Sequence, residues 1–166
     1  MQETTSKPST SNSEKSKPMP VFNHIAISVP SDMLNESGRK KILDFYQEVF
    51  GFTEMPTMTK DGELLVLRVY SNEQFIYLTA DDKPMSCPKM DHFGLSVSSP
   101  EQLYDILERA KKYQQKDPAV SIEGPSLEDF EVLKLHSFYA GYLLPMMIEI
   151  QCFDWQEGFD AGSLPD

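Results

Sequence analysis

The chain of 166 residues is short of several things, and each shortage removes a class of function. It has two cysteines, Cys87 and Cys152, too few and too far apart for a disulfide framework or a zinc knuckle. No apolar run approaches the length that crosses a bilayer. The N-terminus lacks the basic start, apolar middle and small-residue cleavage site of a secretory signal. A reducing cytoplasm is the expected compartment, and no membrane partner is expected. Basic runs are scarce as well: Arg39-Lys40-Lys41 and Lys111-Lys112 are the longest, each inside a helix-like segment flanked by acids. Fifteen Lys and Arg stand against 26 Asp and Glu, a formal charge of −11 that repels nucleic-acid phosphates. No nucleic-acid partner is therefore expected. A phosphate-cradling glycine loop, a nucleophile elbow and a dinucleotide fingerprint are all missing.

What remains is an ordinary globular composition, 40% hydrophobic and 25% charged, sized for one compact domain or two fused half-size modules. Residues 1–20 are dominated by Ser, Thr, Pro and Lys, with almost nothing to bury, and read as a disordered tail. Residues 156–166 read as a loose C-terminal tail. Between them the sequence repeats: Asn23-His24-Ile25-Ala26-Ile27-Ser28-Val29 returns as Asp91-His92-Phe93-Gly94-Leu95-Ser96-Val97. Both copies alternate in period two, as strands with two different faces do. One face carries the large apolar residues; the other carries His24, Ala26 and Ser28, matched by His92, Gly94 and Ser96.

Each copy leads into a helix. Ile42, Phe45, Tyr46, Val49 and Phe50 form one apolar stripe closed by Gly51, and Leu103, Ile106, Leu107 and Ala110 form another. Ser99, Pro100 and Gln102 supply an N-cap, a first helical position and a capping box for the second. Three strand-like segments follow each helix, roughly 52–58, 63–70 and 73–80, then 119–123, 131–140 and 145–153. The expected architecture is α+β: tandem βαβββ modules at 21–82 and 89–155, whose sheets form a partly open, barrel-like cleft. The helices should cover the faces bearing Ile27 and Leu95.

Only three histidines occur, and two hold matching places in the repeat on a face whose other residues are small and polar. On the last strand-like segment Glu149 shares a face with Met147 and Gln151, inside the apolar run PMMIEIQC. Burying that carboxylate is costly unless something compensates its charge. A divalent cation held by His24, His92 and Glu149 would do so, and two imidazoles with one carboxylate leave positions open for catalysis. The alternative is a cleft in which His and Glu bond each other without a metal. His136 on the penultimate strand is a candidate acid or base behind the ligands, or simply an exposed strand residue. Tyr139 and Tyr142 either line the cleft and donate to an anionic oxygen or pack with Phe138 in the core. Arg68 pairs either a substrate carboxylate or one of the many acids. Cys152, opposite in parity to Glu149, should face the helices and be inert.

The duplicated first-strand histidines and the last-strand glutamate resemble the vicinal oxygen chelate superfamily, which includes glyoxalases, extradiol dioxygenases, fosfomycin-resistance transferases and bleomycin-binding proteins. The resemblance covers about residues 21–155 and implies that His24, His92 and Glu149 are the metal ligands. It implies Fe(II) or Mn(II) first, with Zn(II), Ni(II) or Co(II) also compatible. It further implies a small-molecule substrate that chelates the metal through neighbouring oxygens. Tyr77 stands where glyoxalase-like members carry a fourth ligand, which points away from glyoxalase and epimerase chemistry. There it would hydrogen-bond a metal-bound ligand. A dioxygenase-like reaction is favoured over a lyase, isomerase or thiol transferase on the same fold, and over a metal-free protein that binds a bleomycin-type antibiotic. The modules pair within one chain or swap between two chains of a homodimer, since either arrangement covers the same faces.

Overall fold

In the computed structural model, which describes residues 20–162, the repeat becomes two four-stranded sheets. The first module runs β1 (His24–Val29), α1 (Glu36–Phe50), β2 (Thr53–Glu54), β3 (Leu64–Arg68) and β4 (Phe75–Ala80). The second runs β5 (His92–Ser96), α2 (Pro100–Lys116), β6 (Ser121–Asp129), β7 (Leu133–Gly141) and β8 (Met147–Trp155). Strand order is β1-β4-β3-β2 in one sheet and β5-β8-β7-β6 in the other, so each module closes by laying its last strand parallel to its first. The fold is the expected α+β pair of βαβββ modules, without a closed barrel. The N-terminal segment read as disordered lies, apart from Pro20, outside the described residues. Among the described residues no helix is long and apolar enough to cross a membrane.

Local chemistry explains the helix ends. Asn35 caps α1 by accepting from the Gly38 amide, and Gly51 ends it at φ 78°, a left-handed conformation that suits glycine. Ser99 caps α2 by accepting from Gln102, whose side chain reaches back to the Ser98 amide, a capping box displaced by one residue. Two expected strands change shape. The segment 52–58 keeps only two strand residues, because Pro56 starts a turn of 3-10 helix over Pro56–Met58. Strand β6 runs six residues past the expected end at 123; Gly124-Pro125 is absorbed as a bulge on this edge strand, between Glu123 and Ser126.

The helices pack on one another, with Phe45 edge-on to Tyr113 and Lys116 paired to Glu48. One continuous core joins them to the backs of both sheets: Ile27, Leu65 and Leu78 on one side, Phe138, Ile148 and Ile150 on the other. As expected, Ile27 and Leu95 turn toward that core. With both backs turned inward, the two opposite faces look outward. His24, Ala26, Gly94 and Ser96 on those faces are exposed.

Candidate functional site

Strand parity and register place each candidate. On the second sheet Gly94, Glu149, Tyr139 and Glu123 form one row across the outward face, flanked by a row holding His92 and Met147. On the first sheet the corresponding rows are Ala26, Tyr77 and Val66, then His24, Phe75, Arg68 and Thr53. The registers are equivalent: Tyr77 faces Ala26 as Glu149 faces Gly94, so Tyr77 does occupy the place of Glu149 in the other module.

Three of the candidates converge on the second sheet. Glu149 is 7% exposed, although the face around it is open. Its Oε2 lies 3.2 Å from His92 Nε2. Tyr139 stands edge-on to the His92 ring, centroids 5.0 Å apart. The Tyr139 hydroxyl donates to Glu149; that bond, then desolvation and the charges of Glu149 and Glu128, raise its pKa above the usual phenol value. The strand residue beside Glu149 is Gly94, so nothing large overhangs the carboxylate; a Cβ there would rest in ordinary contact, 3.6 Å from Gln151 and 3.9 Å from Glu149.

The tautomer of a neutral His92 ring is fixed from its far side. Its Nδ1 lies 2.8 Å from the carbonyl oxygen of Met90, which can only accept, so Nδ1 carries the proton. In a neutral ring Nε2 is then a bare lone pair, aimed at a carboxylate oxygen. Two acceptors 3.2 Å apart repel unless a proton or a cation lies between them. His24 is set up the same way. Its Nδ1 is bonded at 2.9 Å to Oδ1 of Asn23, which in a neutral ring leaves the Nε2 lone pair free, and its ring stacks on Phe75 at 5.0 Å and 8°. A hydrogen-bonded rear nitrogen of this kind orients a metal-ligating imidazole and raises its basicity. These orienting groups were not singled out in the sequence. The amide at the start of the first repeat, Asn23, was a usable signal; the Met90 carbonyl left none.

His24 stands on the other sheet from His92 and Glu149, and among the described residues no three His, Cys, Asp or Glu side chains gather into a metal-binding group. His136 does not join the site. It pairs across the strand with Cys152 on the back of the sheet, near Tyr104 and 3.9 Å from Asp154, because it is odd in register with Tyr139. Tyr142 also belongs to the core: it is buried, its hydroxyl donates to Asp117 at 2.7 Å, and its carbonyl accepts from Tyr46. Cys152 is buried on the same back face and its thiol pKa is raised, chiefly by desolvation.

No protein-family model matches this sequence, and no curated protein matches it either. Solved structures do match the fold. The fosfomycin resistance protein FosX from Listeria monocytogenes, determined with Mn(II) and sulfate, superposes with a TM-score of 0.56 at 15% identity, over 84% of this chain and 94% of that one. A glyoxalase/bleomycin resistance protein/dioxygenase from Nocardioides gives 0.53 at 13% identity, over 91% and 93%. A virulence protein from Salmonella typhimurium gives 0.52 at 20% identity, over 82% and 99%. At these identities the likeness is one of fold.

Proposed function

We propose that this chain, which has the fold of the vicinal oxygen chelate superfamily, is a metal-dependent enzyme acting on a small molecule. The observation that carries the reading is the pair His92 Nε2 and Glu149 Oε2, 3.2 Å apart, in which an exposed imidazole faces a buried carboxylate on an otherwise open face. A divalent cation suits that donor set: a carboxylate, an imidazole with its rear nitrogen anchored, and no competing side chain above Gly94. His24 is the third ligand. When bound, the ion polarises neighbouring oxygens of the substrate and leaves positions open for another reactant. The residues of the chain hold it and shape the face; Tyr139, hydrogen-bonded to Glu149, keeps that carboxylate oriented.

His24 reaches the other two through a second copy of the chain. The outward face of the first sheet carries His24 and Arg68, and no Asp or Glu appears in its paired rows. The outward face of the second sheet carries Glu149, Glu123 and Glu128. Two copies related by a two-fold axis lay one face on the other twice, completing two sites. The expected ion is Fe(II) or Mn(II). A dioxygenase-like reaction is the first expectation, because Tyr77 supplies no fourth ligand. A transferase-type addition is the second, favoured by the fold shared with the Mn(II)-bound fosfomycin resistance protein.

The test is elemental analysis of protein purified without added metal, together with melting temperature and sedimentation of the wild type, His24→Ala and His92→Ala. Bound metal, a dimer, and a metal-dependent rise in melting temperature that either substitution abolishes are the expected results. Oxygen uptake across a catechol panel then tests the dioxygenase expectation. A protein that holds no metal and gains no stability from Fe(II), Mn(II) or Zn(II) ends the reading.

A further inference from the structure

The three arginines of the chain are not used alike. Arg39 lies 3.4 Å from Asp61 and 4.0 Å from Glu54, and Arg109 lies 3.3 Å from Asp105. Arg68, in a chain of net charge −11, has no carboxylate within ion-pair distance among the described residues. It is exposed, and two neutral oxygens hold it: Nε donates to Thr53 Oγ1 at 2.9 Å and Nη1 to Asn72 Oδ1 at 3.4 Å. That leaves three of a guanidinium's five N–H donors free, on a planar fork whose geometry matches a carboxylate or phosphoryl group. Its position is as telling as its partners. Register puts His24, Phe75 and Arg68 in one row on three neighbouring strands of the outward face. At about 4.8 Å per strand spacing, His24 and Arg68 stand on the order of 10 Å apart, with Phe75 as the floor between them.

We infer that Arg68 is an oxyanion-recognising residue of this face. The molecule taken there then carries a carboxylate, phosphate or phosphonate about two strand spacings from the oxygens it presents beside His24. This rests on the proposed metal site for its second half, since the metal fixes where the other end of the molecule lies. Thr53 and Asn72 are positioning residues that hold the fork without neutralising it.

The probes are inorganic phosphate and acetate, titrated into full-length, metal-free protein while the Arg68 Nε–H signal is followed by NMR, at low and moderate salt. Saturable movement of that signal is expected, with the tighter of the two probes identifying the kind of oxyanion. Arg68→Met should weaken its binding at least tenfold and Arg68→Lys by an intermediate factor, because the lysine keeps the charge and loses the fork. Thr53→Val should weaken it less than either while the melting temperature holds. In a separate arm Zn(II) should raise the melting temperature of Arg68→Met as much as that of the wild type. An Arg68 signal that neither anion moves overturns the inference. So does equal anion binding by Arg68→Met, including the case in which that variant becomes monomeric because Arg68 pairs with an acid of a second copy. Absence of any Zn(II) effect in the wild type counts against the metal site instead, and is read independently of the anion titration.

Discussion

Replacing Glu149 with glutamine separates the cost of a buried charge from its use. In metal-free protein, at a pH where the His92 ring is neutral, the carboxylate faces its Nε2 lone pair at 3.2 Å and is almost wholly withdrawn from water. An amide of the same shape carries no charge, and its NH₂ donates to His92 Nε2 where the carboxylate can only accept. It also still accepts from Tyr139. Metal-free Glu149→Gln is therefore expected to be as stable as the wild type or more so at that pH, because a buried hydrogen-bonded amide costs less than a buried charge without a compensating partner.

With metal the order reverses. At a free metal concentration of 100 times the dissociation constant, selective binding to the folded state adds about 2.7 kcal/mol. For a chain of this size that is a melting-temperature rise of about 5–11 °C. If loss of one anionic ligand weakens affinity about 100-fold, the same metal concentration only matches the new dissociation constant. The gain then falls to RT ln 2, about 0.4 kcal/mol, or about 1–2 °C. Differential scanning fluorimetry of both proteins, with and without Mn(II) or Zn(II), reads all four states. Two results refute the reasoning: a variant markedly less stable than the wild type without metal, or one that gains as much from metal as the wild type does.

Three further outcomes follow from the packing. Cys152 is buried with its thiol pKa raised, whereas Cys87 is half-buried in the linker, so iodoacetamide should alkylate Cys87 first and Cys152 only on unfolding; mass spectrometry of a timed reaction checks the order. Asp117 is held below the usual carboxylate pKa, first by the Tyr142 hydroxyl and then by the Ala119 amide, so its contribution is present above the unfolded pKa and lost as pH falls through the folded one. Tyr142→Phe should therefore lower stability at neutral pH, with the deficit shrinking in acid; urea melts that run parallel at every pH would contradict this. Gly38 has no room for a side chain, since a Cβ there would lie 2.6 Å from the carbonyl oxygens of Asp32 and Met33, and Gly38→Ala should cost about 1–3 kcal/mol in urea unfolding.

How much of this could be read beforehand depends on the range of the interaction. The repeat, both helices, their caps and the parity of Ile27, Leu95, Glu149 and Cys152 are set within a few residues, and the sequence displays them directly. The strand ends at Pro56 and Gly124-Pro125 differ from expectation although both lie at edge strands: Pro56 starts a 3-10 turn that ends β2, whereas Gly124-Pro125 is taken up as a bulge because β6 goes on pairing with β7 beyond it. The face of His136 depends on the same sheet-level register: odd in parity with Tyr139, it meets Cys152 on the back of the sheet, away from Glu149.

The central pairing shows both behaviours in one site. His92 and Glu149 meet because β5 and β8 are laid parallel in one module, an arrangement that the βαβββ pattern already implies. His24 is the exact structural counterpart of His92, anchored through its own Nδ1, yet the inward-facing helices turn the two sheets' open faces apart. Duplication therefore specifies a half-site twice over, and nothing within one chain's core brings the halves together. A face that keeps small residues, an anchored imidazole and an uncompensated arginine exposed has been spared the filling that packing alone would favour. The face that completes it is the one bearing His92 and Glu149, which two-fold symmetry delivers from a second copy, leaving the Arg68 fork for the bound molecule.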